Sequence, residues 1–248
     1  MSNSIKTVCI SDLNQTLFEK YKSTVYSSFP KVIFQSEVVK HCWPTLEKYF
    51  PEFQLFLIDG NQKLIGFINT IPIYWNKPLG DLPDDGWDWL VQNGIAGYEN
   101  GVKPNCLGGL QIIVQKDQLG KGYSKLLIAE GKKIMERSGF ENFIIPIRPT
   151  FKSKYPEMDM EEYINFKQGE KIYDPWIRTH NSSGAKIIKV CPRSMYIKGD
   201  LKYWEGLMNS KIKKSGYYIV EGALNPVWMD VENSSGEYNE ANIWISYS

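Results

Sequence analysis

Between Leu107 and Arg137 the chain reads LGGLQIIVQKDQLGKGYSKLLIAEGKKIMER, and no other stretch restricts the fold so tightly. Ile112, Ile113 and Val114 are a β-branched apolar run that predicts a strand, and Lys116-Asp117-Gln118 breaks it with solvent-loving residues. Gly120 and Gly122 follow, just ahead of Leu126, Leu127, Ala129, Ile134 and Met135, which recur at the spacing of an amphipathic helix. The order is strand, glycine turn, helix. Two glycines there let the backbone approach a ligand closely. The unpaired N–H groups of the first helical turn, at the positive end of the dipole, suit a phosphate. Lys121 adds a point charge in the same place. On spacing alone the turn is also readable as an ordinary glycine turn. It is not a P-loop, since no Gly-Lys-Ser/Thr closes a six-residue spacing, and it lacks the three-glycine dinucleotide fingerprint.

The rest of the composition sets bounds around that unit. A chain of 248 residues can bury a substantial core in one large domain or two small ones. Eight Trp and fifteen Tyr suit a deep, aromatic-lined pocket, and not disorder. A net charge of +1 argues against nucleic acid or an anionic membrane as the main partner. The cluster Lys211-Lys213-Lys214 reads as solvated surface. Cys9, Cys42, Cys106 and Cys191 are scattered without metal-ligand spacing, which predicts reduced thiols and no metal. The opening MSNSIKTVCISD lacks a basic start and a long apolar run, so the expectation is a cytoplasmic protein with no membrane span.

In chain order, residues 5–10 predict a short strand, and Ser11 or Asp12 then caps a helix over about 13–28. A second helical pattern, SEVVKHCWPTLEKYF, is expected to break at Pro44. Segments 53–58 and 63–73 predict a hairpin about Asp59-Gly60-Asn61. The stretch 74–104 reads as an insertion holding a turn and a short helix over 87–92, placed to cover a substrate. Phe143–Ile147 predicts the next strand. AKIIKV, SMYIKG, YYIV and NIWISYS read as later strands, with one helix near 200–209. The expected architecture is an α/β (α+β) fold with a mixed central sheet flanked by helices, residues 1–248 forming one domain with insertions at about 74–104 and 148–175.

Two histidines narrow the search for a group that titrates near neutrality. His41, in KHCWP, reads as a surface or structural residue. His180 lies on a helix that Asp174-Pro175 can start and Gly184 can end. Thr150 stands just past the fifth predicted strand, at the carboxyl edge where open sheets build sites, and its hydroxyl is either an oxyanion donor or a turn residue after Pro149. Arg148 and Lys152 flank it; either is a carboxylate or phosphate ligand, or a surface charge.

The Leu107–Arg137 segment resembles motif A of the GNAT superfamily of acyl-CoA-dependent acyltransferases. There Q/R-x-x-G-x-G/A cradles the coenzyme A pyrophosphate, and the preceding strand hydrogen-bonds the pantetheine arm. Aligned on LGKGYS, Gly122 takes the central glycine, while Leu119 and Ser124 depart from the pattern. The resemblance implies coenzyme A contacts from Ile113, Val114, Leu119, Gly120, Lys121, Gly122, Tyr123 and Ser124. It places His180 where these proteins commonly carry a general-acid tyrosine, four residues before a glycine. More narrowly, Trp43, Thr150 in RPT, His180 in PWIRTH and Arg193 in CPRSM resemble the GNAT-like domains of curacin-type polyketide synthase loading modules. What that implies is decarboxylation of malonyl-CoA, with acyl delivery to an acyl carrier protein thiol. Thr150 and His180 are then the catalytic pair, Trp43 walls the acyl pocket, and Arg193 and Arg148 are substrate-binding candidates. The thioester enolate left by loss of CO₂ needs hydrogen-bond donors at oxygen and a proton at carbon, which these residue types supply without metal. Two rival expectations remain. One is N-acetyl transfer from acetyl-CoA to a small amine, for which strand 108–115 offers no carboxylate base. The other is a non-catalytic module that binds acyl-CoA or a carrier protein.

Overall fold

The computed structural model describes residues 4–28 and 30–248. Strand β1 (Lys6–Cys9) leads into helix α1 (Gln15–Ser27). Asn14 starts that helix by accepting the Leu17 N–H at 3.0 Å, and neither Ser11 nor Asp12 does so. Helix α2 (Glu37–Tyr49) is capped by Ser36, whose hydroxyl accepts the Val39 N–H, and it runs through Pro44 instead of breaking. Proline removes one ladder bond, but Val39, Trp43 and Leu46 stay on one buried face across it, and that burial outweighs the loss.

Strands β2 (Gln54–Ile58) and β3 (Leu64–Ile73) form the expected hairpin, with the Asp59 carboxylate accepting the N–H groups of Asn61 and Lys63. Helix α3 (Gly86–Glu99) extends well past the short helix the sequence suggests. Then come β4 (Cys106–Val114), α4 (Tyr123–Arg137) and β5 (Asn142–Ile147), the strand–turn–helix unit and its following strand. A short helix α5 (Met160–Tyr163) and a small hairpin, β6 (Lys167–Gln168) with β7 (Lys171–Ile172), lead to α6 (Pro175–Ser182). AKIIKV and SMYIKG are one strand, β8 (Lys186–Asp200), continuous through Pro192. Its pairing slips between Cys191 and Met195, and a bulge on a strand with a free edge is where proline costs no ladder bond. Helix α7 (Leu201–Met208), β9 (Gly216–Tyr218), β10 (Val227–Asp230) and β11 (Ser235–Tyr247) complete the chain.

Among the described residues nine strands form one sheet in the order β1-β2-β3-β4-β5-β11-β10-β9, with β8 also paired along β11. Only β4 and β5 run parallel. The sheet separates two apolar cores, as expected for a mixed sheet with helices on both faces. One, under α1, α2 and α3, holds Trp43, Trp87, Leu110, Ile144, Tyr238 and Trp244. The other, under α4 and α6, holds Leu127, Ile145, Ile147, Ile177, Ile243 and Tyr247. Most aromatic rings are spent in these cores.

Candidate active site

Strands β4 and β5 pair only from Cys106–Asn142 to Gly108–Ile144, and then they part. Beyond that point β4 continues against β3, and β5 continues against β11, with which it pairs from Phe143 to Ile147. A register shift in the β3–β4 ladder, where Leu110 is the extra residue between Gly109 and Gln111, marks where β4 bends away. The divergence opens a pocket of about 450 Å³ lined by Leu110–Val114 on one side and Ile145–Arg148 on the other. Past Gly108, the β4 edge facing the gap has no strand to pair with among the described residues, so its peptide groups are available to a ligand.

One end of the pocket meets the glycine turn. Leu119 and Ser124 line it, and Gly120 and Gly122 hold φ of +76° and +81°. That left-handed geometry is open to glycine at no steric cost. Gly122 is the N-terminal cap of α4, and the first bonds inside the helix run from the Lys125 and Leu126 N–H groups to its carbonyl. The N–H groups of the first turn therefore have no partner within the helix. Ile113 and Val114 also line the gap, whereas Gly120, Lys121, Gly122 and Tyr123 supply the turn beside it. Lys121 is exposed and donates to Gln118 Oε1 at 3.0 Å.

Helix α6 forms part of the wall through Pro175, Trp176 and Thr179. Asp174 fixes it: one carboxylate oxygen takes the Trp176 and Ile177 N–H groups, and the other takes the Phe151 N–H and the Tyr163 hydroxyl. The same carboxylate thus holds the segment that carries Thr150, which is exposed and lines the pocket. Lys152 is no surface charge. It is fully buried and donates to the carbonyls of Tyr155 and Leu224, and burial lowers its pKa to about 8.

His180 lies behind this wall. It is fully buried, its Nδ1 is 2.7 Å from the Tyr247 hydroxyl, and its Nε2 has no partner. Burial depresses its pKa to about 3, so the ring is neutral at neutral pH. Trp43 does not reach the pocket either. It stacks behind Trp87, at 6.0 Å between centroids, and Trp87 does the lining. Arg193 is half exposed and paired with Asp84 and Asp85, outside the pocket. The structure therefore brings Thr150, Arg148 and the glycine turn to one cavity, and leaves His180, Trp43 and Arg193 out of its wall. Its apolar lining is chiefly Ile, Pro and Leu, with Trp87 and Trp176 as the aromatic members.

The opposite end of the pocket holds residues the sequence reading did not single out. Glu240 and Asn242 of β11 line it beside Arg148, Gln111, Trp87, Met195 and Ile33. Side chains alternate along a strand. With Ala241 and Ile243 in the α4–α6 core, Glu240 and Asn242 face the α1–α3 side. Gln111 is cross-strand from Asn69, which borders Trp43 and Phe56 on that side. The pocket consequently passes through the sheet, with the glycine turn on one face and this polar group on the other. A bonded network stiffens it: the Trp87 N–H donates to Ser194, the Ser194 hydroxyl to Asn242 Oδ1, and Asn242 Nδ2 to Glu240. Glu240, fully buried, also accepts from the Tyr238 hydroxyl and from Arg148 Nε, which is 3.0 Å from both carboxylate oxygens. The signal that marks Glu240 is a carboxylate at an inward position of the alternating run Tyr238, Glu240, Asn242, Trp244.

Among the described residues no helix is long and apolar enough to cross a membrane, and no group of three His, Cys, Asp or Glu side chains is placed to hold a metal ion. No family model matches the chain. A search of curated proteins finds similarity to the arginine N-acetyltransferase avaD of Aspergillus versicolor, 30% identical over an alignment 262 positions long that covers 94% of this chain and 89% of that protein. Among solved structures, the loading GNATL domain of CurA from Lyngbya majuscula superposes with a TM-score of 0.59 at 16% identity, covering 99% of this chain and 98% of that one. A GphF GNAT-like decarboxylase in complex with isobutyryl-CoA also gives 0.59, at 14% identity and with the same coverage. At those identities the two structures speak to the fold.

Proposed function

Because the chain belongs to the GNAT superfamily of acyl-CoA-dependent acyltransferases, we propose that it moves an acetyl group from acetyl-CoA to the nitrogen of a small amine. The observation that carries this reading is the match to an arginine N-acetyltransferase across 94% of the chain. Arginine is accordingly the first acceptor to try.

The pocket suits such a transfer. The diphosphate of coenzyme A meets the free N–H groups from Gly120 to Ser124, with the helix dipole of α4 behind them. The pantetheine arm lies in the gap as an added strand, its amides bonding the open edge of β4 from Gln111 to Val114. The thioester carbonyl then sits between the two sheet halves, and the amine arrives from the α1–α3 face. Attack on that carbon places a negative charge on oxygen, and the Thr150 hydroxyl is the exposed side-chain donor on the wall that can meet it. Collapse of the tetrahedral intermediate breaks the C–S bond and expels the coenzyme A thiolate, which takes up the proton that the amine nitrogen loses as it becomes an amide. The acceptor face carries a carboxylate, Glu240 of β11, but Arg148, Tyr238 and Asn242 occupy its oxygens, so the amine gives its ammonium proton to solvent before it attacks.

The competing reading, decarboxylation of malonyl-CoA with delivery to a carrier-protein thiol, keeps Thr150 but has its proton donor, His180, sealed behind the wall and neutral. Parallel incubation of the protein with acetyl-CoA plus arginine and with malonyl-CoA, followed by mass spectrometry, separates these readings. Acetylarginine and free coenzyme A are the expected products. Acetyl-CoA from malonyl-CoA with no acetylated amine would replace this function by the decarboxylase. Coenzyme A binding without turnover of either substrate would leave a binding module.

A further inference from the structure

Arg148 is held in a way that commits part of it and leaves part of it free. Its Nε faces both oxygens of Glu240, and one Nη2 N–H goes to the Gly222 carbonyl. Among the described residues Nη1 has no partner, although the side chain is only 28% exposed and lines the pocket. Both N–H groups of Nη1 and one of Nη2 therefore remain, and a donor from each terminal nitrogen makes a fork for a carboxylate. Glu240 is not available to turn toward a ligand. Its oxygens are filled by Arg148, Tyr238 and Asn242, so it acts as the brace that fixes the guanidinium plane.

The anion this fork meets is not the coenzyme A diphosphate, which belongs to the glycine turn on the other face of the sheet. On the α1–α3 face Trp87, Ile33, Met195 and Pro146 supply the apolar wall, and Glu240 and Asn242 are committed to the network described above. One further polar atom there is uncommitted: Gln111 Oε1 is buried with no donor. A free paired donor and a free acceptor on one apolar wall match a ligand that offers a carboxylate and an N–H group.

We propose that Arg148 is a carboxylate receptor, and that the carboxylate belongs to the amine acceptor, which is an amino acid rather than a simple amine; this rests on the N-acetyltransferase reading above. A malonyl group would offer the same chemistry from the acyl side, and the experiment distinguishes the two sources.

Initial rates are measured on the full chain with acetyl-CoA and three acceptors: L-arginine, L-argininamide and agmatine, which is arginine without its carboxylate. The expected result is a kcat/KM for arginine about 10- to 100-fold above the other two, carried mainly by KM, as fits loss of one charge-assisted pair. The double variant Arg148→Gln/Glu240→Gln removes both charges and so strands neither in the core. With its fold checked by circular dichroism, it is expected to treat the three acceptors alike. Agmatine used as well as arginine by the unmodified protein overturns the proposal, and that comparison does not depend on any variant folding. If no amine is acetylated but malonyl-CoA is consumed, and the double variant loses that turnover, the N-acetyltransferase reading fails while the receptor stands with the acyl group as its source. Malonyl-CoA turnover unchanged in the double variant would overturn the receptor as well.

Discussion

Asp88 shows how one side chain can set the pH range of a fold. It lies in the first turn of α3, nearly buried, with one oxygen accepting the Tyr196 N–H at 2.9 Å and the other without a partner. Burial raises its pKa to about 7, the Tyr196 bond opposes that, and the carboxylates of Asp85 and Glu240 reinforce it. In the unfolded chain the group titrates near the ordinary carboxylate value, so between about pH 4 and 7 the folded state binds the extra proton. The associated stability is complete below about pH 4 and is lost as pH rises through 7. Asp88→Asn keeps the acceptor for Tyr196 and removes the charge. At pH 8.5 it should raise stability by about 2–4 kcal/mol, and at pH 4.5 the advantage should shrink toward zero. Urea denaturation at the two pH values measures this, and a gap of equal size at both would show that the carboxylate is not ionising inside the fold. His180 is the contrasting residue. Sequence position marks it as a candidate acid, and only the packing of α6 against β11 reveals that Tyr247 occupies one nitrogen and the core surrounds the other.

At the scale of elements, the β4–turn–α4 unit was the most legible part of the chain because everything it needs is local. The two glycines, the apolar period of the helix and the β-branched strand occur within about thirty residues and act on one another directly. An added Cβ at Gly120 or Gly122 would meet nothing within 4 Å, so the glycines are required by backbone conformation alone and not by crowding. Gly122→Ala should therefore fold, at a cost of about 1–2 kcal/mol for a left-handed alanine. The turn would relax, and KM for acetyl-CoA should rise several-fold with little change in kcat; a fall in kcat at unchanged KM would remove the phosphate-cradle role. Where elements depend on distant partners the sequence misleads. Pro44 reads as a break until the buried face of α2 is known, and Pro192 splits β8 on paper although a bulge opposite β11 absorbs it. Glu240 escaped notice for the same reason: nothing near it in sequence says that β11 will lie beside the end of β5, where Arg148 waits.

For the molecule as a whole, the last strand is the member that ties the halves together, since β11 pairs with β5, β8 and β10 at once. Thr150 and Arg148 are placed by the β5 end, the glycine turn by β4, and the acceptor wall by β8, β11 and α3. The general fold was readable in advance, as alternating strand and helix signals around one glycine turn. The acceptor wall was not, because it is assembled from chain segments about a hundred residues apart. The gap between β4 and β5 has a consequence for the order of events. It is open to both faces of the sheet, so neither ligand has to leave before the other arrives. Among the described residues no cysteine lines it to store an acyl group between half-reactions. Initial velocities measured against acetyl-CoA at several fixed acceptor concentrations should give double-reciprocal lines that intersect, and parallel lines would mean an acyl-enzyme. On the proposed reading the two substrates enter by different doors, and a desulfo analogue of coenzyme A should hold one door shut without closing the other.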